Sequence, residues 1–289
     1  MGYRIVTDSG SDLSPRMVKE LGVDLIPLHS IMKSSKGDET LDGNTIALSD
    51  VYALLRQRYS ATTSAVNVDA FTEAFEAILK GGDDVLYVGL SSGLSATFHA
   101  SELAAEDLRE KYPERRIVVV DTLAASLGHG MLVYLAAQKQ KAGDSIDEVA
   151  NFLKATIPHA CHWFTVDDLF FLKRGGRVSA TTAIVGTALG IKPVMHVDDG
   201  GHLVKKDIAR GRKKSLVALF EKMKKTIVSP ETQTVFISHG DCLADAEYLA
   251  DLIRSEIKVK EIIIDYIGSV VGTHSGPGTV ALFYLGTNR

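Results

Sequence analysis

At 289 residues, with 45% hydrophobic and 24% charged residues, the chain has room for about two domains and for a core that needs no metal or disulfide staple. Lys and Arg number 32 against 36 Asp and Glu, a net charge of −4, so no global positive field exists to attract nucleic acid or anionic lipid. Two cysteines make no disulfide framework, no apolar run approaches the ~18 residues of a membrane span, and no signal peptide is evident, so a cytoplasmic protein is expected.

The first half alternates strand-like and helix-like runs. Tyr3–Thr7 is β-rich and ends in the polar turn Asp8-Ser9-Gly10-Ser11-Asp12. Ser14 and Pro15 open a helix that Gly22 closes, and Val23–Leu28 reads as a strand that Pro27 places at an edge or an end. The near-continuous apolar runs Asp84–Gly89 and Arg116–Asp121 suit buried parallel strands, and a helix from about Ser95 to Tyr112 joins them in a βαβ unit. Ser145 and Glu148 form a capping box for a helix reaching about Ile157. The pattern then changes, and a domain boundary is expected near residue 160, giving an amino-terminal domain of residues 1–160 and a carboxy-terminal one of residues 161–289. Beyond it Ile191–Val197, the turn Asp198–Gly201 and His202–Val204 read as a β-hairpin. Strands are expected at Val235–His239, Ile262–Ile267 and Val280–Leu285, with helices at about Lys214–Ile227 and Ala244–Glu256.

Three polar segments border these elements, and ligands of open α/β sheets bind beyond the carboxyl ends of strands. In Leu90-Ser91-Ser92-Gly93-Leu94-Ser95-Ala96-Thr97 a helix N-terminus suits a carboxylate or phosphate, with Ser92 or Ser95 adding a hydroxyl; a serine-rich helix cap is the alternative. Ala61-Thr62-Thr63-Ser64-Ala65 precedes the helix of Asp69–Lys80, so its hydroxyls either cap that helix or meet a ligand. In Gly272-Thr273-His274-Ser275-Gly276-Pro277-Gly278, three glycines and a proline surround one histidine, a loop that lets backbone approach a ligand while aiming an imidazole. Leu172–Val178 and Arg210-Gly211-Arg212-Lys213-Lys214 are basic and suit phosphate, an acidic partner, or simply solvent. His159-Ala160-Cys161-His162 lies at a strand start, where alternation sends neighbours to opposite faces, so no metal site is expected. Walker A, GxGxxG and HExxH patterns are absent, and although Gly89-Leu90-Ser91-Ser92-Gly93 superficially resembles a GxSxG elbow it is not read as one, which points to a binding site without its own nucleophile-activating apparatus.

Taken in order and spacing, five segments resemble signatures of the DegV family of bacterial fatty-acid-binding proteins. Thr7-Asp8-Ser9 with Asp12-Leu13 is similar to TDS-x-x-DL, Thr63-Ser64 to the start of TSQPS, and Leu90–Thr97 to LSSGLSGT; Phe171–Arg177 and Gly272–Gly278 are similar to two later signatures. The resemblance implies a two-domain α/β protein: an amino-terminal three-layer domain on a parallel sheet, a carboxy-terminal domain on a mixed sheet, and a ligand tunnel between them. It implies one long-chain fatty acid presented to a separate ATP-dependent fatty acid kinase (DhaK/DhaL-like), which makes the acyl phosphate, with no cofactor and no nucleic acid; transient membrane contact is compatible with it. The family's carboxylate contacts fall on Thr63, Ser95 and His274, with Ser64, Ser92, Gly93 and Thr273 beside them, and its kinase-facing basic residues on Arg177 and Arg210. Ala65-Val66-Asn67 departs from the family's Gln-Pro-Ser, which bears on ligand preference. Two rival functions remain: an acyl hydrolase using Ser95 and His274, for which no orienting acid is evident, and a regulatory module with an empty cleft.

Overall fold

β-branched and aromatic residues make Tyr3–Asp8 a strand, and Pro15 at the first helical position with Gly22 in the left-handed conformation (φ 72°) brackets the helix after it. The computed structural model describes residues 2–34, 39–179 and 190–289. Along these residues the strands are β1 (Tyr3–Asp8), β2 (Asp24–Ile26), β3 (His29–Lys33), β4 (Thr40–Asp42), β5 (Ser60–Ser64), β6 (Asp84–Gly89), β7 (Ile117–Asp121), β8 (Ala160–Thr165), β9 (Ile191–Val197), β10 (Leu203–Arg210), β11 (Thr234–His239), β12 (Glu261–Tyr266) and β13 (Val280–Leu285). The α-helices are α1 (Pro15–Leu21), α2 (Leu48–Arg56), α3 (Val68–Lys80), α4 (Thr97–Lys111), α5 (Ser126–Lys141), α6 (Ile146–Thr156), α7 (Phe170–Arg174), α8 (Arg212–Thr226), α9 (Leu243–Glu256) and α10 (Ser269–Ser275).

Residues Met1–Leu28 and Ser64–Pro158 form one unit, built on a parallel sheet of order β2-β1-β6-β7. Helices α3 and α4 pack on each other, as do α5 and α6. Phe71, Phe75, Tyr87 and Phe98 form an aromatic cluster, with the Phe71 and Tyr87 rings edge to face at 5.0 Å. The strand order reverses direction between β1 and β6, so the topological switch point lies beyond Asp8 and Gly89. The capping box of α6 is formed in full by Ser145 and Glu148.

His29–Thr63 and His159–Arg289 form the second unit. The break at residues 158 and 159 lies close to the expected boundary, but the division differs from a single cut at residue 160, because His29–Thr63 groups with the carboxy-terminal residues. Its six-stranded sheet has the order β10-β9-β8-β13-β11-β12, with only β11 and β12 parallel, so it is mixed. Leu216, Leu219, Phe220, Leu249 and Ile253 of α8 and α9 pack on Cys161, Val194, Val235, Leu282 and Tyr284. Strand alternation puts Phe164, Met195, Phe236 and Phe283, all buried, on the sheet's other face. A smaller sheet, β4-β3-β5, adjoins a separate core of Met32, Val51, Tyr52, Leu55, Phe171 and Ile267.

Three expectations change here. Thr63 and Ser64 end strand β5 and do not cap the following helix; Asn67 does, its side chain accepting from the Ala70 amide at 2.8 Å. Thr273, His274 and Ser275 belong to α10, so the glycine-rich loop begins only at Gly276. The second hairpin strand, read as His202–Val204, runs on to Arg210, which pairs with Ile191; α8 begins at Arg212 after Gly211 (φ 93°). No helix among the described residues is long and apolar enough to cross a membrane.

Candidate functional site

In the second unit, His274 lies near the end of α10 and its Nε2 is 2.8 Å from the Thr63 hydroxyl at the end of β5. The other ring nitrogen, Nδ1, is buried against Gly175, where a Cβ would overlap it, and has no hydrogen-bond partner among the described residues. Burial, with the cations of Arg177 and Arg174 nearby, pushes the imidazole down to about 4, so it is neutral at physiological pH. In the tautomer with its proton on Nε2, the imidazole donates to Thr63 Oγ1, which leaves the threonine hydroxyl proton free to be donated onward.

The surroundings hold this pair from several sides. The Arg174 guanidinium donates to the carbonyls of Tyr59 (3.4 Å) and Thr273 (3.3 Å), tying the segment leading into β5 to the helix of His274, and it lies over the rings of Phe170 and Phe171. Burial lowers the Arg174 and Arg177 pKa values from their ordinary range, the neighbouring Arg58 also acting on Arg174. Arg177, half-buried, donates to the Gly175 carbonyl, and its charge acts on His274. Tyr52 donates to the Ile267 carbonyl at 2.8 Å and fills the space beside Gly272. The loop glycines serve the same packing: Gly276 (φ 80°) gives room to the Phe171 ring and Gly278 (φ 77°) to the Asp167 carboxylate. At both positions the close approach seen is that of the protein's own side chains. Thr273 is 2% exposed, and its hydroxyl, like that of Ser275, has no partner among the described residues.

In the first unit, the segment Leu90–Thr97 follows β6. Ser95 Oγ accepts from the Thr97 amide (3.2 Å) and lies 2.9 Å from Thr97 Oγ1, so it caps α4 in place of Ala96. The exposed Ser92 amide donates to the Asp121 carboxylate (3.3 Å) and the Gly93 amide to Ser91 Oγ (3.1 Å). These two amides are engaged by Asp121 and Ser91, so what the segment offers from this set is the half-buried Ser95 hydroxyl. Ser64, at the strand end, is exposed.

An acyl hydrolase would need an acid on His274 Nδ1, and that atom faces Gly175. Around His159, alternation separates Cys161, in the core under α8 and α9, from His162, which lies edge-on to Phe283 at 5.6 Å. Within the basic run after β10, Arg212 bonds to Asp245 at 2.9 Å, whereas Arg210 is exposed with no ion pair among the described residues.

The family model described as an uncharacterised protein of the DegV family matches residues 3–287. The chain belongs to the DegV family. A DegV domain-containing protein of Clostridium perfringens is 46% identical over 287 residues, covering 99% of this chain and 98% of the relative. A DegV-family protein of Thermus thermophilus, described for its fatty acid binding, superposes with a TM-score of 0.86 at 29% identity, covering 99% of this chain and all of the other. DegV of Bacillus subtilis, described as a fatty acid binding protein, gives 0.83 at 26% identity, with 99% of this chain and 100% of the other covered.

Proposed function

We propose that this DegV-family protein is a cytoplasmic carrier that binds one long-chain fatty acid and presents its carboxylate to a separate ATP-dependent fatty acid kinase, which forms the acyl phosphate. The observation that carries the reading is the Thr63–His274 pair, a neutral imidazole 2.8 Å from a threonine hydroxyl; with the proton on Nε2 the imidazole donates to that hydroxyl, whose own proton is left for an acceptor. A carboxylate is such an acceptor, and hydrogen bonds of this kind offset its desolvation. Ser95 supplies a second hydroxyl, and the Arg174 and Arg177 cations add favourable potential. The family resemblance implies a tunnel for the tail. At ~0.8 kcal/mol per buried methylene, about twelve methylenes contribute roughly 10 kcal/mol before the costs of association, so the ligand should survive purification.

Organic extraction of the purified protein, followed by mass spectrometry, is expected to release a fatty acid near one equivalent. Recovery of no lipid, with no thermal shift on adding long-chain acids, rejects the reading. Presentation is tested separately at Arg210, the exposed cation at the end of β10. Arg210→Ala should keep fatty-acid affinity but lose most acyl phosphate formation when kinase and ATP are supplied, and the wild-type reaction should weaken with salt as an electrostatic contact does. Wild-type turnover in the variant removes Arg210 from the kinase contact.

A further inference from the structure

At the switch point of the parallel sheet, the Asp8 side chain is completely buried and no cation pairs with it among the described residues. Its carboxylate is satisfied by hydrogen bonds alone. Oδ1 accepts from the Gly10 amide at 2.9 Å, and Oδ2 accepts from the Leu90 amide at 2.9 Å and the Tyr87 hydroxyl at 2.6 Å. Two glycines make the space: a Cβ on Gly10 would stand 2.8 Å from Oδ1, and one on Gly89 would overlap the Tyr87 ring. A buried carboxylate without a counter-ion is costly to desolvate, and these three donors offset that cost, so Asp8 and the backbone it bonds hold one another in place.

What this carboxylate holds is the start of the segment that carries Ser95. Leu90 is fixed by Asp8, and the adjacent Ser91 amide donates to the Ala124 carbonyl at 2.9 Å. The Ser91 carbonyl then accepts from both Leu94 (3.1 Å) and Ser95 (3.2 Å), so the Ser95 backbone hangs from a residue one bond removed from the Asp8 contact. We propose that Asp8 is a positioning residue for the fatty-acid head group, setting Ser95 by bridging the carboxyl ends of β1 and β6 across the switch point. It rests on the reading that Ser95 meets the ligand's carboxylate.

The test compares palmitic acid with 1-hexadecanol, which shares the tail but lacks the carboxylate, on delipidated full-length protein. Asp8→Asn is expected to weaken palmitate about tenfold and hexadecanol about twofold or less, the range for an interaction lost at the head group alone. Ser95→Ala should do the same, and the double variant should lose no more than about a further twofold, since neighbours in one network are not additive. Amide exchange across Leu90–Ser95 should also rise in Asp8→Asn. Should Asp8→Asn not fold, Gly10→Ala, which crowds Oδ1, is expected to lower the palmitate-over-hexadecanol preference in the same direction. Equal weakening of both ligands, additive losses, or an unchanged preference in the variants overturns the assignment alone. A wild-type protein that binds neither ligand overturns the fatty-acid reading and the assignment with it.

Discussion

Gly175→Ala is expected to weaken long-chain fatty-acid binding by about 10- to 100-fold while leaving the fold intact. Gly175 has right-handed helical dihedrals (φ −73°, ψ −7°), which alanine adopts without strain, so the effect is steric. The new Cβ would overlap His274 Nδ1. With Thr63 at its other nitrogen, the imidazole can make room only by giving up the Thr63 contact. A hydrogen bond to a charged group is worth about 1.5–3 kcal/mol, which sets the expected range. Calorimetric titration of delipidated protein with palmitate measures it, and circular dichroism checks the fold. In a His274→Ala background the same substitution should cost little more, because the group it displaces is already gone. Wild-type affinity in Gly175→Ala would show that the imidazole has no part in holding the ligand.

Stability in the absence of lipid is expected to fall as pH drops from about 6.5 to about 4, and His274 is one of two main sources. Burial first, then Arg177 and Arg174, pushes His274 down to about 4, and burial pushes His196 to about 4 as well, with its ring stacked on Trp163. His239 shifts in the same direction for the same reason. In the unfolded chain these imidazoles protonate as pH falls through about 6.5, while in the folded protein His274 and His196 remain neutral until about 4. Protons thus favour the unfolded state throughout that window, so the stabilisation is complete above about 6.5 and lost toward 4. At ~1.4 kcal/mol per unit, His274 and His196 contribute roughly 3 kcal/mol apiece as an upper figure. Urea midpoints from pH 7 to about 4.7, a range kept above most carboxylate titration, should show His274→Gln losing about half of the slope. An unchanged slope would mean that the imidazole protonates in the folded protein as readily as in the unfolded chain.

Elements whose stability is local were legible in the residues alone. Pro15 and Gly22 bracket α1, Ser145 and Glu148 box the start of α6, and the apolar runs of β6 and β13 match strands at the expected residues. Helix α5 carries no such signal: from Ser126 to Val133 every residue is buried, so no polar face marks its period, and two glycines interrupt it. Sequence likewise cannot tell that Gly272–Ser275 is helical, because glycine and β-branched residues weaken that reading and the stabilising contacts come from Tyr52 and Arg174, distant in the chain.

The same division runs through the candidate site. The residue types that bear on a carboxylate, Thr63, Ser95 and His274, stand in recognisable segments, and the Thr7-Asp8-Ser9 run is part of the same family pattern. Sequence by itself therefore determined the family, the α/β class and the chemical inventory, since these depend on local composition and order. It gave Asp8 and Gly175 no role, because their function lies in contacts 82 residues away for the Asp8–Leu90 bond and nearly a hundred for Gly175 and His274. Only tertiary structure decided that His29–Thr63 joins the second unit, bringing Thr63 to His274 within it, and that neighbouring cations and burial keep that imidazole neutral. Hydrogen-bond partners and desolvation are properties of packing, and packing between segments far apart in the chain is written in no local pattern.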